Sequence, residues 1–215
     1  MNKEYFDIRD NCRKGLLKYL LRALTIIPTI EKPLILDVGC GSGVPTIALA
    51  EKFNCNITAV DNDSKSINRL QEKVKELNLS DNISIVNSSL WDIEFEERQF
   101  DIIIAEGFLN VIGFERGFLK ITKLLKTNGY FIIHDEYKNH ITKIEFMESN
   151  GCTLLDSFRL DENVWWDDYY KCLEKDVSSH ENIELFKSDL NEIEMYKKDS
   201  SQFNSIYYVI EKIKN

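Results

Sequence analysis

The sequence predicts an α/β protein built on a mostly parallel, Rossmann-like sheet with helices on both faces. Three observations carry that prediction. Short apolar runs suited to buried strands alternate with segments of helical periodicity along most of the 215 residues. The first such run, Leu34–Val38, opens into a turn with glycine at alternate positions, Gly39, Gly41 and Gly43. A later run, residues 100–105 (FDIIIA), is a continuous apolar stretch of the kind found in parallel strands covered on both sides.

The length and a 43% hydrophobic content predict one domain with a full core over residues 1–215. A net charge of −9 argues against a broad nucleic-acid or anionic-membrane partner, because neutralising phosphates needs a basic face. No run is long and apolar enough to span a bilayer, and the start, MNKEYFDIRDNCRKG, is too charged for a secretory signal. A cytoplasmic protein, monomeric or homodimeric, is the expectation. The cysteines Cys12, Cys40, Cys55, Cys152 and Cys172 are odd in number and scattered, with no C-x-x-C pair. That spacing predicts reduced thiols, and neither a disulfide frame nor a metal site.

In chain order, residues 7–24 place apolar side chains at helical spacing with Arg and Lys between them, and predict one amphipathic helix within an N-terminal segment, 1–30. Pro28 and Pro33 frame the entry to the first strand. Asp37 stands at that strand's end, and Pro45 suits the first turn of the following helix. Alternating glycines allow a sharp turn and let a ligand lie against main-chain atoms. The dinucleotide fingerprint G-x-G-x-x-G would need glycine where Val44 stands, which disfavours a nicotinamide-dependent oxidoreductase; a P-loop is excluded because no Gly-Lys-Ser/Thr follows. Residues 56–60 form a second strand ending in Asp61, 18 positions after Gly43. A carboxylate fixed there suits the two hydroxyls of a ribose. Asp63 is a fair N-cap for the next helix.

The sequence Asp37-x-Gly39-x-Gly41-x-Gly43 resembles motif I of the class I S-adenosylmethionine (SAM)-dependent methyltransferases. The resemblance extends over roughly residues 33–151 and the last strand. It implies SAM as cofactor, S-adenosyl-L-homocysteine as product, and a seven-stranded sheet whose last strand runs antiparallel between the fifth and sixth. It assigns Asp37 and Gly39 to the methionine part of SAM, room for it to Gly41 and Gly43, a cofactor-binding place to Cys40, and the ribose to Asp61 with Asn62 beside it. The family usually has an acid facing the adenine just beyond the third strand, Ile83–Asn87; this chain has Ser89 there, with Asp92 three residues later. Ser89, Asp92 and the Leu90 backbone N–H are therefore the candidates for the adenine.

The fourth strand ends in Glu106-Gly107, followed by Asn110. Ligands of open α/β sheets sit beyond the carboxyl ends of the strands, so Glu106 and Asn110 point to where a transferable methyl would lie. A helix over 117–126, an Asn128-Gly129 turn and a fifth strand over 130–134 follow, and then His134-Asp135-Glu136. Neighbours in an extended segment point to opposite sides, so these three with His140 suit a polar pocket wall better than a metal centre, with His134 a candidate general base. A helix over 141–150 and a strand Cys152–Leu160 lead into residues 161–204, charge-rich and without glycine or proline, which predict two helices as a lid before a last strand over 205–213. In the lid, VWWDDYY places Trp165, Trp166, Tyr169 and Tyr170 on one aromatic face if helical. Ring faces attract cations and exclude water, which suits a pocket beside a sulfonium. AEGFLNVIGFERGF and the paired Trp and Tyr look like a small-molecule subgroup of the family, with a small-molecule acceptor. A SAM-binding regulatory protein of the same fold is the alternative reading.

Overall fold

In the computed structural model, which describes residues 3–213, the chain begins with two helices, α1 (Lys3–Arg13) and α2 (Leu17–Leu24). It then alternates β1 (Leu34–Val38), α3 (Val44–Lys52), β2 (Asn56–Asp61), α4 (Ser64–Glu76) and β3 (Ile83–Asn87). Next come β4 (Phe100–Glu106), the single turn α5 (Leu109–Ile112), α6 (Phe114–Leu124) and β5 (Leu125–Glu136). α7 (His140–Ser149) and β6 (Cys152–Leu160) precede the insertion, made of α8 (Glu162–Trp165), α9 (Lys171–Ser178) and α10 (Lys187–Lys198). The chain returns to the sheet as β7 (Ser205–Lys212).

The seven strands lie in the order β3-β2-β1-β4-β5-β7-β6. β7 is antiparallel to β5 and β6, as the sequence resemblance implies, while the other neighbours are parallel. Strand order reverses between β1 and β4, which opens a crevice beyond Val38 and Glu106. One core layer joins one sheet face to α2, α3 and α4 through Leu20, Leu49, Ile67 and Leu70. The other joins the opposite face to α5, α6 and α7 through Leu109, Phe118, Ile121 and Met147. A third cluster, Cys12, Tyr169, Tyr170, Leu173, Phe186 and Ile193, packs α1 against the insertion. Burying each such large apolar side chain stabilises by about 1.5–3 kcal/mol.

The structure corrects several of these expectations. The N-terminal helix is broken by a 3₁₀ turn at Lys14–Leu16. There the insertion comes so close that a Cβ on Gly15 would lie 2.1 Å from the Asp168 carbonyl oxygen. The helix expected over 117–126 starts at Phe114, and β5 is 12 residues long and not five. Asn128 does adopt a positive φ of 62°, but the turn is an irregularity inside β5, whose pairing with β4 slips between Phe100–Leu125 and Ile102–Tyr130. The insertion is also more broken than two helices, with a π-helical turn at Trp166–Tyr170 and 3₁₀ turns at Ile183–Phe186 and Ser200–Phe203. Finally, the expectation of reduced thiols fails at one pair. Cys12 on α1 and Cys172 on α9 are joined in a disulfide, their Cα atoms 5.5 Å apart across 160 positions of sequence. Cys40, Cys55 and Cys152 are free and buried. No described helix is long and apolar enough to cross a membrane.

Candidate active site

β1 delivers the buried Asp37 to its carboxyl end, where the carboxylate accepts from the Thr46 hydroxyl at 2.5 Å. Burial, with Glu106 and Asp61 nearby adding to it, pushes the Asp37 carboxyl up to about 7 against the opposing Thr46 bond. The glycine loop follows with all three glycines at positive φ. Their reasons differ. Cβ atoms at Gly39 and Gly43 would strike the side chains of Phe108 and Leu70, whereas Gly41 faces open space within 4 Å. The close approach of a ligand expected along the whole loop is therefore available at Gly41. Cys40 is buried beneath the loop, and burial raises its thiol far above the usual range.

Asp61 is fixed at the end of β2 by two backbone donors, Gly41 N–H at 2.8 Å and Asp63 N–H at 2.8 Å. A carboxylate retains lone pairs beyond these two bonds. Asp61, the exposed Asn62, Ser89, Leu90, Phe108 and Ile112 are among the residues around a cavity of about 160 Å³. The Ser89 hydroxyl accepts from Trp91 N–H at 3.3 Å. Asp92 is exposed and does not line this cavity.

Across the strand-order reversal, β4 presents Glu106. Tyr207 of β7 donates a short hydrogen bond to its carboxylate. Burial raises the Glu106 carboxyl; the Tyr207 bond and the nearby Arg13 guanidinium pull it back down. His134 lies beside it on β5, with Nε2 2.8 Å from the Ser205 hydroxyl. Its ring belongs to a column of four: Phe158 on Tyr207 at 5.1 Å, Tyr207 on His134 at 4.5 Å, and His134 on Trp165 at 5.9 Å between ring centroids. Burial pushes the imidazole down to about 3, so it is neutral across the physiological range. Glu106, His134, Trp165, Tyr207, Tyr19 and Arg13 surround a constriction of about 20 Å³. His134 and Trp165 also wall a larger cavity of about 320 Å³, together with Asn110 and Tyr170.

The four lid aromatics do not share one face. The π-helical turn uses wider i→i+5 bonds and changes the angular step between residues. Trp166 stacks on Tyr196 at 5.9 Å and Tyr169 packs beside Tyr170 at 5.1 Å, so neither lines the larger cavity. The His134-Asp135-Glu136 run lines the larger cavity, but its side chains take different partners: Asp135 pairs with Lys143 at 2.8 Å while His134 meets Ser205. Among the described residues, the metal-compatible grouping is Cys12, Cys172 and Asp176, whose two sulfurs are already bonded to each other.

Sequence reasoning passed over Arg13, read as one of the basic residues between apolar positions; the break after α1 instead places it at the constriction. It also missed Asp10, which accepts from the Ser42 hydroxyl of the glycine loop and from Lys73 at 2.8 Å, fastening α1 over the loop. No local signal marks either contact, because each joins segments tens of residues apart.

A crevice with a glycine loop, acids at three strand ends and this strand order agrees with what known proteins show. A family model described as "Methyltransferase domain" matches residues 32–177. The chain belongs to the class I SAM-dependent methyltransferases. This methyltransferase is 33% identical over 103 residues to the sterol 24-C-methyltransferase ERG6 of Saccharomyces cerevisiae, covering 47% of this chain and 27% of that protein. It is 37% identical over 102 residues to the ribosomal RNA small subunit methyltransferase G of Mycoplasma capricolum, 46% of this chain and 42% of the relative. The methyltransferase thus aligns with less than half the length of both curated relatives. Its fold is also that of a putative sarcosine dimethylglycine methyltransferase from Galdieria sulphuraria, with a TM-score of 0.73, 17% identity and coverage of 92% of this chain and 83% of that one.

Proposed function

We propose that this methyltransferase moves a methyl group from SAM to a small-molecule acceptor and releases S-adenosyl-L-homocysteine. The observation that supports this most directly is the gathering of Asp37, Asp61 and Glu106 on three neighbouring strands, with Gly41 of the loop open to a ligand and a larger cavity lined by His134 and Trp165. A cofactor with a ribose, an ammonium and a sulfonium complements three acids placed at three strand ends. When bound, SAM supplies a methyl on a good leaving group, so no protein nucleophile is needed.

In this reading Asp61 accepts from the ribose hydroxyls, and Asn62, Ser89 and Leu90 border the adenine. Asp37 and Gly39 hold the methionine part, with the Arg13 guanidinium opposite its carboxylate. Glu106, oriented by Tyr207, faces the methyl, and Asn110, Trp165 and Tyr170 border the acceptor. Trp166 and Tyr169 serve the lid's own packing. An imidazole pushed down to about 3 holds a proton poorly, so His134 is assigned to shaping the wall and Glu106 to any proton the acceptor must shed. Fixing the acceptor on the axis behind the methyl in a water-poor site supplies up to about 7–11 kcal/mol of barrier lowering in favourable cases. In this reading the N-terminal segment, sheet and insertion act as one domain. A cytoplasmic location accords with three free cysteines; there the Cys12–Cys172 bond would meet a reducing thiol pool.

Ser89, where the family usually has an acid, favours a second reading as a SAM-binding regulator without turnover. Calorimetric titration with SAM, S-adenosylhomocysteine and NAD tests the cofactor: binding of the first two alone is expected, and absence of SAM binding overturns the proposal. Formation of S-adenosylhomocysteine with a small-molecule extract then separates enzyme from regulator. Preferential methylation of purified ribosomal or transfer RNA would overturn the small-molecule acceptor.

A further inference from the structure

The 320 Å³ cavity has a chemical bias of its own. Three acidic residues line it, Asp135, Glu136 and Glu192, and no lysine or arginine does; Glu136 and Glu192 are exposed, while the Asp135 side chain is buried. Asp135 is matched by Lys143 from outside the lining, at 2.8 Å. Glu192 has a different kind of partner: its carboxylate accepts from the Tyr170 hydroxyl at 2.6 Å, a neutral donor that orients the charge without cancelling it. Arg13, the cation of the site, lines the constriction on the other side of His134 and Trp165. The remaining walls include the rings of Trp165, Tyr170 and Phe203. Carboxylates with aromatic faces attract a cation and give little to an anion, whose desolvation there would go uncompensated.

Resting on the reading of the site as a SAM-dependent methyltransferase centre, we infer that the acceptor is an amine, admitted as its ammonium and methylated on nitrogen. The chemistry closes on this choice. The ammonium gives one proton to the Glu106 carboxylate, its freed lone pair forms the N–C bond, and the C–S bond breaks with its electron pair on sulfur. The positive charge thereby passes from sulfur to nitrogen, and the neutral imidazole of His134 adds no competing charge at the wall.

The test uses the full chain saturated with S-adenosylhomocysteine for binding and with SAM for turnover. The probes are 2-phenylethylamine, N-methylbenzylamine, 2-phenylethanol and 3-phenylpropanoate, similar in size and differing in charge. The amines are expected to bind at least tenfold more tightly than the alcohol and the carboxylate, and to be the probes that give S-adenosylhomocysteine. E192Q should lower amine affinity about tenfold with SAM affinity unchanged; E136Q, an exposed position, gives the same direction if E192Q fails to fold. Equal or tighter binding of the alcohol or the carboxylate overturns the inference, as does an E136Q or E192Q protein that binds amines as well as the parent. Loss of SAM binding in the parent protein overturns the cofactor reading instead, so the two failures are distinct.

Discussion

Replacing Asp61 with alanine tests the cofactor site at its best-defined point. The carboxylate is held at the end of β2 by the N–H groups of Gly41 and Asp63, each at 2.8 Å, with its remaining lone pairs facing the cavity. Hydrogen bonds to a charged group contribute about 1.5–3 kcal/mol each, so losing two ribose contacts costs at least about 3 kcal/mol of binding. At about 1.4 kcal/mol per tenfold change, the dissociation constant for SAM should rise on the order of 100-fold. Asn is no milder substitute: whichever oxygen is exchanged, its amide N–H₂ confronts a backbone N–H donor. The effect on folding is smaller, about 1 kcal/mol, because water reaches the partly exposed loop donors. Titration calorimetry with SAM and S-adenosylhomocysteine reads the affinity, and circular dichroism confirms that the sheet persists. An affinity within threefold of the parent in a folded variant would refute the ribose assignment.

Two further outcomes follow from the same geometry. In Tyr207→Phe the Glu106 carboxyl loses the hydrogen bond that opposes its burial, so its pKa moves further up. The acid limb of kcat/KM should shift to higher pH; an unmoved limb with intact SAM binding would remove Glu106 from the reaction. Reducing Cys12–Cys172, which closes a loop of 160 positions, should lower unfolding stability by roughly 2–4 kcal/mol in denaturant titrations. Alkylation and mass analysis of the unreduced protein should find these two cysteines protected, and labelling of both would show that the bond does not form.

Much of the architecture was legible because the relevant signals were local. The strands Ile83–Asn87 and Cys152–Leu160 fall where apolar alternation and flanking turn residues place them, and Asp63 caps α4 by accepting from Lys65 and Ser66 N–H. The misreadings arise where tertiary structure overrides a local rule. Asn128-Gly129 is a proper turn signal, yet the sheet absorbs it inside β5. The period of residues 7–24 continues through Gly15, but the approach of Asp168 breaks the helix there. At the site, Asp37 and Asp61 stand near the ends of β1 and β2 and Gly41 in the loop after β1, positions that spacing alone indicates. Arg13, Asp10 and Tyr207 reach it through long-range packing and left no pattern in the chain. The aromatic quartet misled for a third reason: helical spacing was assumed through a segment that is π-helical.

The cover over the crevice is assembled from distant parts of the chain. α1 is fastened to the glycine loop by Asp10, and α9 belongs to the segment that carries Trp165 to the wall of the larger cavity. The sulfur–sulfur link makes these one body, further riveted by Asp168, which accepts from Lys18 and from Tyr19 at 2.7 Å each. While it is intact, α1 and α9 are tied covalently, so a displacement of α1 from the glycine loop is passed on to the segment that carries Trp165.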